Sequence, residues 1–277
     1  MSTPECSDEP LRSLVHRRRR GPSCPRLDQF VLSDGRNRVK TYAIADLHGR
    51  FDLLQMAYDA ISQHALGIPG TIVHLGDYVD RGPQSREIIE WLMDDPALPP
   101  GWRRICLRGN HEDIMVECCA NLELVGRWWI PNGGGRTLIS YGAKIGDGAA
   151  VAAALVPSSH LDWMKALPRM HIDEHRVFVH AGVDPFKPLD QQDDQDLGWK
   201  IYPDDDERGH GKRHVVHGHH QFEDGPILLK GRSDLDTFAW FTGRLVVGVF
   251  DDAVAGGPIE LLTVQGSHIQ DIVRAAS

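Results

Sequence analysis

Residues 71–82 read Thr-Ile-Val-His-Leu-Gly-Asp-Tyr-Val-Asp-Arg-Gly. A short β-branched and apolar run ends abruptly in a glycine-bounded loop carrying two carboxylates and a guanidinium. The run predicts a buried strand, and Ser85–Met93 behind the loop predicts a helix. The same strand, polar loop and helix sequence stands on either side. Upstream, the strand Val39–Ala45 leads into Asp46-Leu47-His48-Gly49-Arg50 and a helix near Phe51–His64 with apolar residues at 53, 54, 57 and 61. Downstream, Arg104–Leu107 leads into Gly109-Asn110-His111-Glu112 and a helix over Asp113–Leu124. Asp46, Asp77 and Asn110 are spaced by 31 and 33 residues, the length of a right-handed strand-helix-strand unit, which predicts parallel strands. Their carboxyl ends then share one edge, where open α/β sheets bind ligands.

Beyond this core, residues 113–170 predict a mainly helical excursion. From 176 onward, short runs rich in Val, Phe and Ile (Arg176–Val179, His214–Val216, Ile227–Leu229, Thr237–Trp240, Leu245–Phe250, Ile259–Val264) predict a second, mixed sheet packed on the first. The expected organisation is a disordered leader over 1–37, one domain over 38–268 and a C-terminal tail over 269–277. The basic run Arg17–Arg20 falls in the leader and reads as a solvated segment.

Composition narrows the function. The 277 residues carry 30 Lys+Arg against 39 Asp+Glu, a formal charge of −9, with 15 His. Such acidity argues against nucleic acid as a partner, since phosphate backbones need a basic face. No apolar run reaches the roughly 18 residues of a membrane span. Five cysteines with no C-x-x-C spacing fit a reducing compartment, hence an expected cytoplasmic location.

Two further polar stretches follow predicted strands: Val179-His180-Ala181-Gly182 and Val216-His217-Gly218-His219. Carboxylate, imidazole and amide oxygen together suit Mn²⁺, Fe or Zn²⁺, whereas an all-oxygen set would point to Mg²⁺ or Ca²⁺. A pair of such cations needs a bridging carboxylate, and Asp77, on the middle loop, is the candidate.

In these loops the chain resembles the phosphoprotein phosphatase family of binuclear metallophosphoesterases, whose signatures are GDxHG, GDxxDRG and GNHE. They stand here as Ala45–Gly49, Gly76–Gly82 and Gly109–Glu112, with Ala45 the one departure. The likeness runs from about 39 to 265 and is strongest to the bacterial and bacteriophage lambda-type branch, through Trp129–Thr137, Ser140-Tyr141-Gly142, His180–Pro185 and Arg232–Thr237.

The resemblance implies an α/β fold, a four-layer α/β/β/α calcineurin-like sandwich of two mixed sheets with flanking helices. It implies two divalent transition metals, Mn²⁺ first, with Asp46, His48 and Asp77 on one and Asp77, Asn110, His180 and His219 on the other. His219 is chosen over His217 and His220 because it follows Gly218. The expected reaction is hydrolysis of phosphomonoesters by direct attack of a metal-bridging hydroxide. His111 is the general acid for the leaving alkoxide, Asp80 orients it, and Arg81 offers a bidentate fork to phosphate oxygens.

Where the lambda-type branch carries a second phosphate-binding Arg, this chain has Leu197-Gly198-Trp199-Lys200-Ile201. Lys200 supplies charge there without the fork, and Arg232 is a further candidate substrate contact beside Arg81 and Asn110. The expected substrate is a phosphoprotein, serine/threonine first, or a small phosphoester. The alternatives are a diadenosine-tetraphosphate-type dinucleotide hydrolase and, in another class, a non-catalytic phosphate-binding scaffold.

Glu112 reads as a brace for its loop, and Trp128-Trp129 as core. The acid-rich stretch 184–207 predicts a preference for phosphopeptides with basic flanks.

Overall fold

A computed structural model describes residues 39–94 and 98–275, without the side chains of 273–275. The expected leader, with Arg17–Arg20, lies outside the described residues. The first three units form as expected: β1 (Lys40–Ile44), α1 (Phe51–Ala65), β2 (Thr71–His74), α2 (Ser85–Met93), β3 (Arg103–Cys106) and α3 (Asn110–Ala120). β1 pairs parallel with β2, and β2 with β3.

The helical excursion follows as a π-helical turn (Val125–Trp129), a 3₁₀ turn (Ile130–Asn132), α4 (Gly134–Ser140), α5 (Ala149–Ala153) and α6 (Ser158–Ala166). The remaining elements are β4 (Met170–Ile172), β5 (Arg176–Val179), α7 (Asp194–Trp199), β6 (His214–His217), β7 (Ile227–Leu228), β8 (Arg232–Asp234), α8 (Ala239–Thr242), β9 (Arg244–Asp251), β10 (Glu260–Gln265) and α9 (Ile269–Ala275).

They make two five-stranded mixed sheets, ordered β10-β9-β1-β2-β3 and β4-β5-β6-β8-β7. Period-two alternation sorts the strand residues into three cores. Tyr42, Ile44, Ile72, Val247 and Val249 face a cluster with Leu53, Leu54 and Ile61 of α1 and Ile88 and Ile89 of α2. The intervening Ala43, Val73, Phe178, Val216 and Phe250 fill the space between the sheets, with Phe178 and Phe250 edge to face at 5.6 Å. Val177, Val179 and Val215 turn to the far side and pack with Leu197 of α7. Each sheet therefore buries both faces, as continuous apolar strands require.

Four expectations need correction. β9 and β10 join the first sheet, β9 antiparallel to β1, because β9 buries alternate residues against the α1 side. Thr237–Trp240 is not a strand: the Asp234 and Asp236 carboxylates accept the N–H of Asp236 and Phe238. Such local bonds compete with a ladder, so the strand ends at Asp234 and the chain turns into α8. α3 begins at Asn110 rather than Asp113, since Glu112 accepts the N–H of Gly109 at 2.9 Å and caps the helix. The stretch expected as a tail contains α9, with Ile269 buried. No helix among the described residues is long and apolar enough to cross a membrane.

Candidate metal centre

The loops leaving β1, β2, β5 and β6, with the first turn of α3, converge because their strands run parallel and end at one edge. Close approach of backbones draws them together. A Cβ at Gly109 would collide with the Asp77 carboxylate, and one at Gly218 with that of Asp46, so only glycine lets these loops pass so near. Glu112 ties two loops together, accepting N–H groups from Asp77, Tyr78 and Val79 of the loop after β2 besides Gly109 of its own; the bracing role read from sequence is what the geometry shows. Asp46, His48, Asp77, Asp80, Arg81 and His219 all have positive φ, between 27° and 73°. For non-glycine residues this is strained backbone, of the kind that clusters at functional sites.

Asp77 occupies the middle. Its Oδ2 is 3.4 Å from His48 Nε2 and its Oδ1 is 3.4 Å from His180 Nε2. Donor atoms about 2.1 Å from a tetrahedral cation are separated by about 3.4 Å, so both gaps have the span of a coordination edge. The imidazoles are held in the ligating tautomer. His48 Nδ1–H donates to the Val79 carbonyl at 2.8 Å and His180 Nδ1–H to that of Leu75 at 3.0 Å, leaving each Nε2 lone pair facing inward. His180 Nε2 then meets Asn110 Oδ1 at 2.8 Å, two acceptors turned toward each other, which a shared cation would relieve.

Charge tells the same story. Burial pushes the pKa values of His48, His180 and His219 down, that of His219 to about 3, so all three stay neutral and able to ligate. Burial, then the neighbouring Asp236 and Asp77, raises Asp46 well above the ordinary carboxylate range. Asp234 and Asp236 are buried close by, each with one carboxylate oxygen lacking a hydrogen-bond partner. Four buried carboxylates around neutral imidazoles fit divalent cations, whose charge offsets the repulsion.

Among the described residues two groups have donor atoms within 4.8 Å of one another: His48 with Asp77 and His111, and Asp77 with His180 and His219. Asp77 is common to both, as a bridging residue requires. His111 enters the first group, yet both its nitrogens are engaged. Nδ1–H donates to Asp80 Oδ2 at 2.7 Å, and Arg81 Nη2 donates to Nε2 at 3.2 Å. Burial lowers the His111 pKa, while Asp77 and Asp80 raise it further, for a net upward shift. Asp80 is itself fixed, its Oδ1 accepting from Trp129 Nε1 and Thr137 Oγ1, both at 2.8 Å.

His48, Asp77, Arg81, Asn110, His111 and His219 line one crevice of about 310 Å³, together with Asn132, Trp199, His220 and Gln221. The last four lie on the wall; Asn132 and Trp199 fall in stretches that carry the family likeness, but none of the four was expected at the site from sequence. Trp128 and Trp129 divide their roles: Trp129 is fully buried and holds Asp80, whereas Trp128 is partly exposed and stacks on Trp199 at 6.3 Å. Trp240 lies under the Arg81 guanidinium at 5.5 Å.

Two expected substrate contacts are absent from that lining. Lys200 donates to Asp196 at 3.1 Å and lies 5.6 Å from the Tyr202 ring; α7 ends at Trp199, and it is the indole that enters the crevice. Arg232 is buried, donating to the backbone carbonyls of Asp206 and Pro203 and facing His217; it supports the 203–206 loop. Lys200→Ala is accordingly expected to leave kcat and KM within about twofold of wild type in a phosphatase assay. The acid-rich stretch is partly neutralised by its own cations, Lys187 lying near Asp184, Asp193 and Asp196, and Arg208 beside Asp206.

The calcineurin-like phosphoesterase family model matches residues 39–250. Serine/threonine-protein phosphatase 1 of Salmonella typhimurium (strain LT2) is 26% identical, over 77% of this chain and 93% of its own length. A symmetrical bis(5'-nucleosyl)-tetraphosphatase of Pseudomonas fluorescens (strain Pf0-1) is 28% identical, over 53% of this chain and 43% of its own length; the chain thus spans under half of this relative. Among solved structures, the cold-active protein-tyrosine phosphatase of a psychrophilic Shewanella superposes with a TM-score of 0.51 at 15% identity, covering 89% of each chain, a likeness of fold alone. The motif loops, the paired histidine and carboxylate groups and the extent of the model match agree: this chain belongs to the calcineurin-like phosphoesterase family.

Proposed function

We propose that the chain is a two-metal phosphomonoesterase acting on phosphoproteins, phosphoserine and phosphothreonine first. In this reading Asp46, His48 and Asp77 hold one divalent cation and Asp77, Asn110, His180 and His219 the other. When bound, such a pair supplies a nucleophile available near neutral pH and positive charge for the phosphoryl oxygens.

The chain's own groups do the rest. Arg81, 3.2 Å from His111, presents its fork to two phosphoryl oxygens at the crevice mouth. Once Arg81 turns from His111 to the phosphoryl oxygens, His111 takes up a proton on Nε2 and delivers it to the departing alkoxide oxygen, while the Asp80 carboxylate on Nδ1 stabilises the imidazolium that precedes transfer. Trp129 and Thr137 keep Asp80 from rotating, so the acid is aimed before substrate arrives.

The observation that carries the protein substrate is the length of the likeness, 93% of the Salmonella serine/threonine phosphatase against 43% of the Pseudomonas tetraphosphatase. The tetraphosphatase name favours a second reading, symmetrical cleavage of a dinucleoside tetraphosphate. A Mn²⁺-supplemented assay of a phosphoserine peptide, diadenosine tetraphosphate and p-nitrophenyl phosphate separates them. The first reading expects the peptide to have the highest kcat/KM. Cleavage of the dinucleotide alone would replace it with the second.

A further inference from the structure

A cavity of about 590 Å³ lies at the other end of the second sheet, with Phe186, Glu207, Arg208, Lys212, Arg213 and Lys230 in its wall. The metal-binding loops leave the carboxyl ends of β5 and β6, whereas Arg213 and His214 stand at the amino end of β6, and Lys230 and Gly231 just before β8, which runs parallel to it. Four strand residues at about 3.3 Å each put roughly 13 Å between the two ends.

The wall is basic on a chain whose formal charge is −9. Glu207 is its one acid. Arg208 is paired with Asp206, and Arg213 donates to the Asp173 carbonyl at 3.1 Å, but the exposed Lys212 and Lys230 have no ion-pair partner among the described residues. Four cationic residues against one acid leave an excess of positive charge in this wall, which a polyanion would offset. The wall also carries an aromatic ring with no apolar cover. Phe186 is 81% exposed, and the Arg208 guanidinium stands 5.3 Å from its ring, which leaves a free face for a planar group. Cations that meet phosphates beside an aromatic platform are the chemistry of nucleotide recognition. The volume suits one nucleotide, and the acids at 190–196 oppose a long nucleic acid.

We propose that this cavity is a nucleotide site, separate from the metal centre, whose Lys212 and Lys230 hold the phosphates of a nucleoside polyphosphate and whose Phe186 stacks on its base. The proposal does not depend on which phosphoester the metal centre cleaves.

Calorimetric titration of the full chain with ATP and with inorganic tripolyphosphate, both in EDTA, tests it. EDTA removes cations that would draw phosphates to the centre. ATP is expected to bind with one-to-one stoichiometry. The double substitution Lys212→Ala/Lys230→Ala should raise Kd for both probes at least about tenfold. Phe186→Ala should weaken ATP about fivefold or more and leave tripolyphosphate within twofold. Asp77→Asn should leave both titrations unchanged. The lysines and Phe186 are exposed, so an unchanged Tm verifies that each variant is folded; Phe186→Leu, which keeps the bulk and removes the ring, should behave as Phe186→Ala. Absence of saturable ATP binding up to millimolar concentration, binding insensitive to the lysine pair, loss of binding in Asp77→Asn, or equal effects of Phe186→Ala on both probes would each overturn the assignment.

Discussion

Asp77→Asn is expected to reduce metal-dependent phosphoesterase turnover by at least about a thousandfold, equivalent to about 4 kcal/mol of lost transition-state stabilisation. Asp77 is the one carboxylate shared by the two donor groups, with an oxygen 3.4 Å from His48 on one side and from His180 on the other. An amide keeps the shape but offers one oxygen and no charge, so it can serve one side at most. The same substitution relieves the repulsion between Asp77 and the buried Asp46 and Asp236. The metal-free protein should therefore not lose stability. Thermal melts with and without Mn²⁺ separate the two effects. Wild type should gain Tm as Mn²⁺ is added, since ligand bound only by the folded state stabilises it, by about 2.7 kcal/mol at a hundredfold excess over Kd. Asp77→Asn should gain little. A variant that loses activity yet keeps the full Mn²⁺-induced rise would show that Asp77 acts elsewhere than in metal binding.

His111→Asn should lower kcat by about 10²–10⁴ on a phosphoserine peptide, the range general acid catalysis supplies, with KM changed much less. The loss should be smallest for p-nitrophenyl phosphate, whose leaving phenolate needs little protonation. That leaving-group dependence separates an acid from a residue that merely binds phosphate, because a lost phosphate contact penalises every ester alike. His111 also has donor atoms within 4.8 Å of His48 and Asp77. Were it a metal ligand, its removal would weaken Mn²⁺ binding; with both nitrogens committed to Asp80 and Arg81, Mn²⁺ affinity should stay within about threefold.

Much of the site is legible in the amino-acid sequence. Strand-loop-helix units repeating at 31 and 33 residues predict parallel strands, and parallel strands predict convergent loops. The site loops are legible because glycine and polar residues break apolar runs at one place in each unit. What escaped was set by tertiary pairing. Nothing local says that β9 joins β1 rather than the second sheet, since an alternating run suits either partner. Asp234 and Asp236 lie in what reads as the approach to a strand, and only the local hydrogen bonds they accept show why it stops. Lys200 and Trp199 are adjacent in a helical terminus, where one residue of rotation decides which of them enters the crevice; the Lys200 to Asp196 pair at i, i+4 was the available signal that the lysine turns away. Asn132, Trp199, His220 and Gln221 come from three separate segments, and no spacing connects them.

The proposed function rests on Asp77 serving two divalent cations at once. Equilibrium dialysis of the metal-stripped chain against Mn²⁺, with bound metal counted by atomic emission, tests it most directly. Two Mn²⁺ per chain are expected at saturation in wild type, no more than one in Asp77→Asn, and activity that disappears on chelation and returns as the second equivalent binds. Saturation at one Mn²⁺ per chain with full activity, or hydrolysis undiminished after both metals are removed, would contradict it.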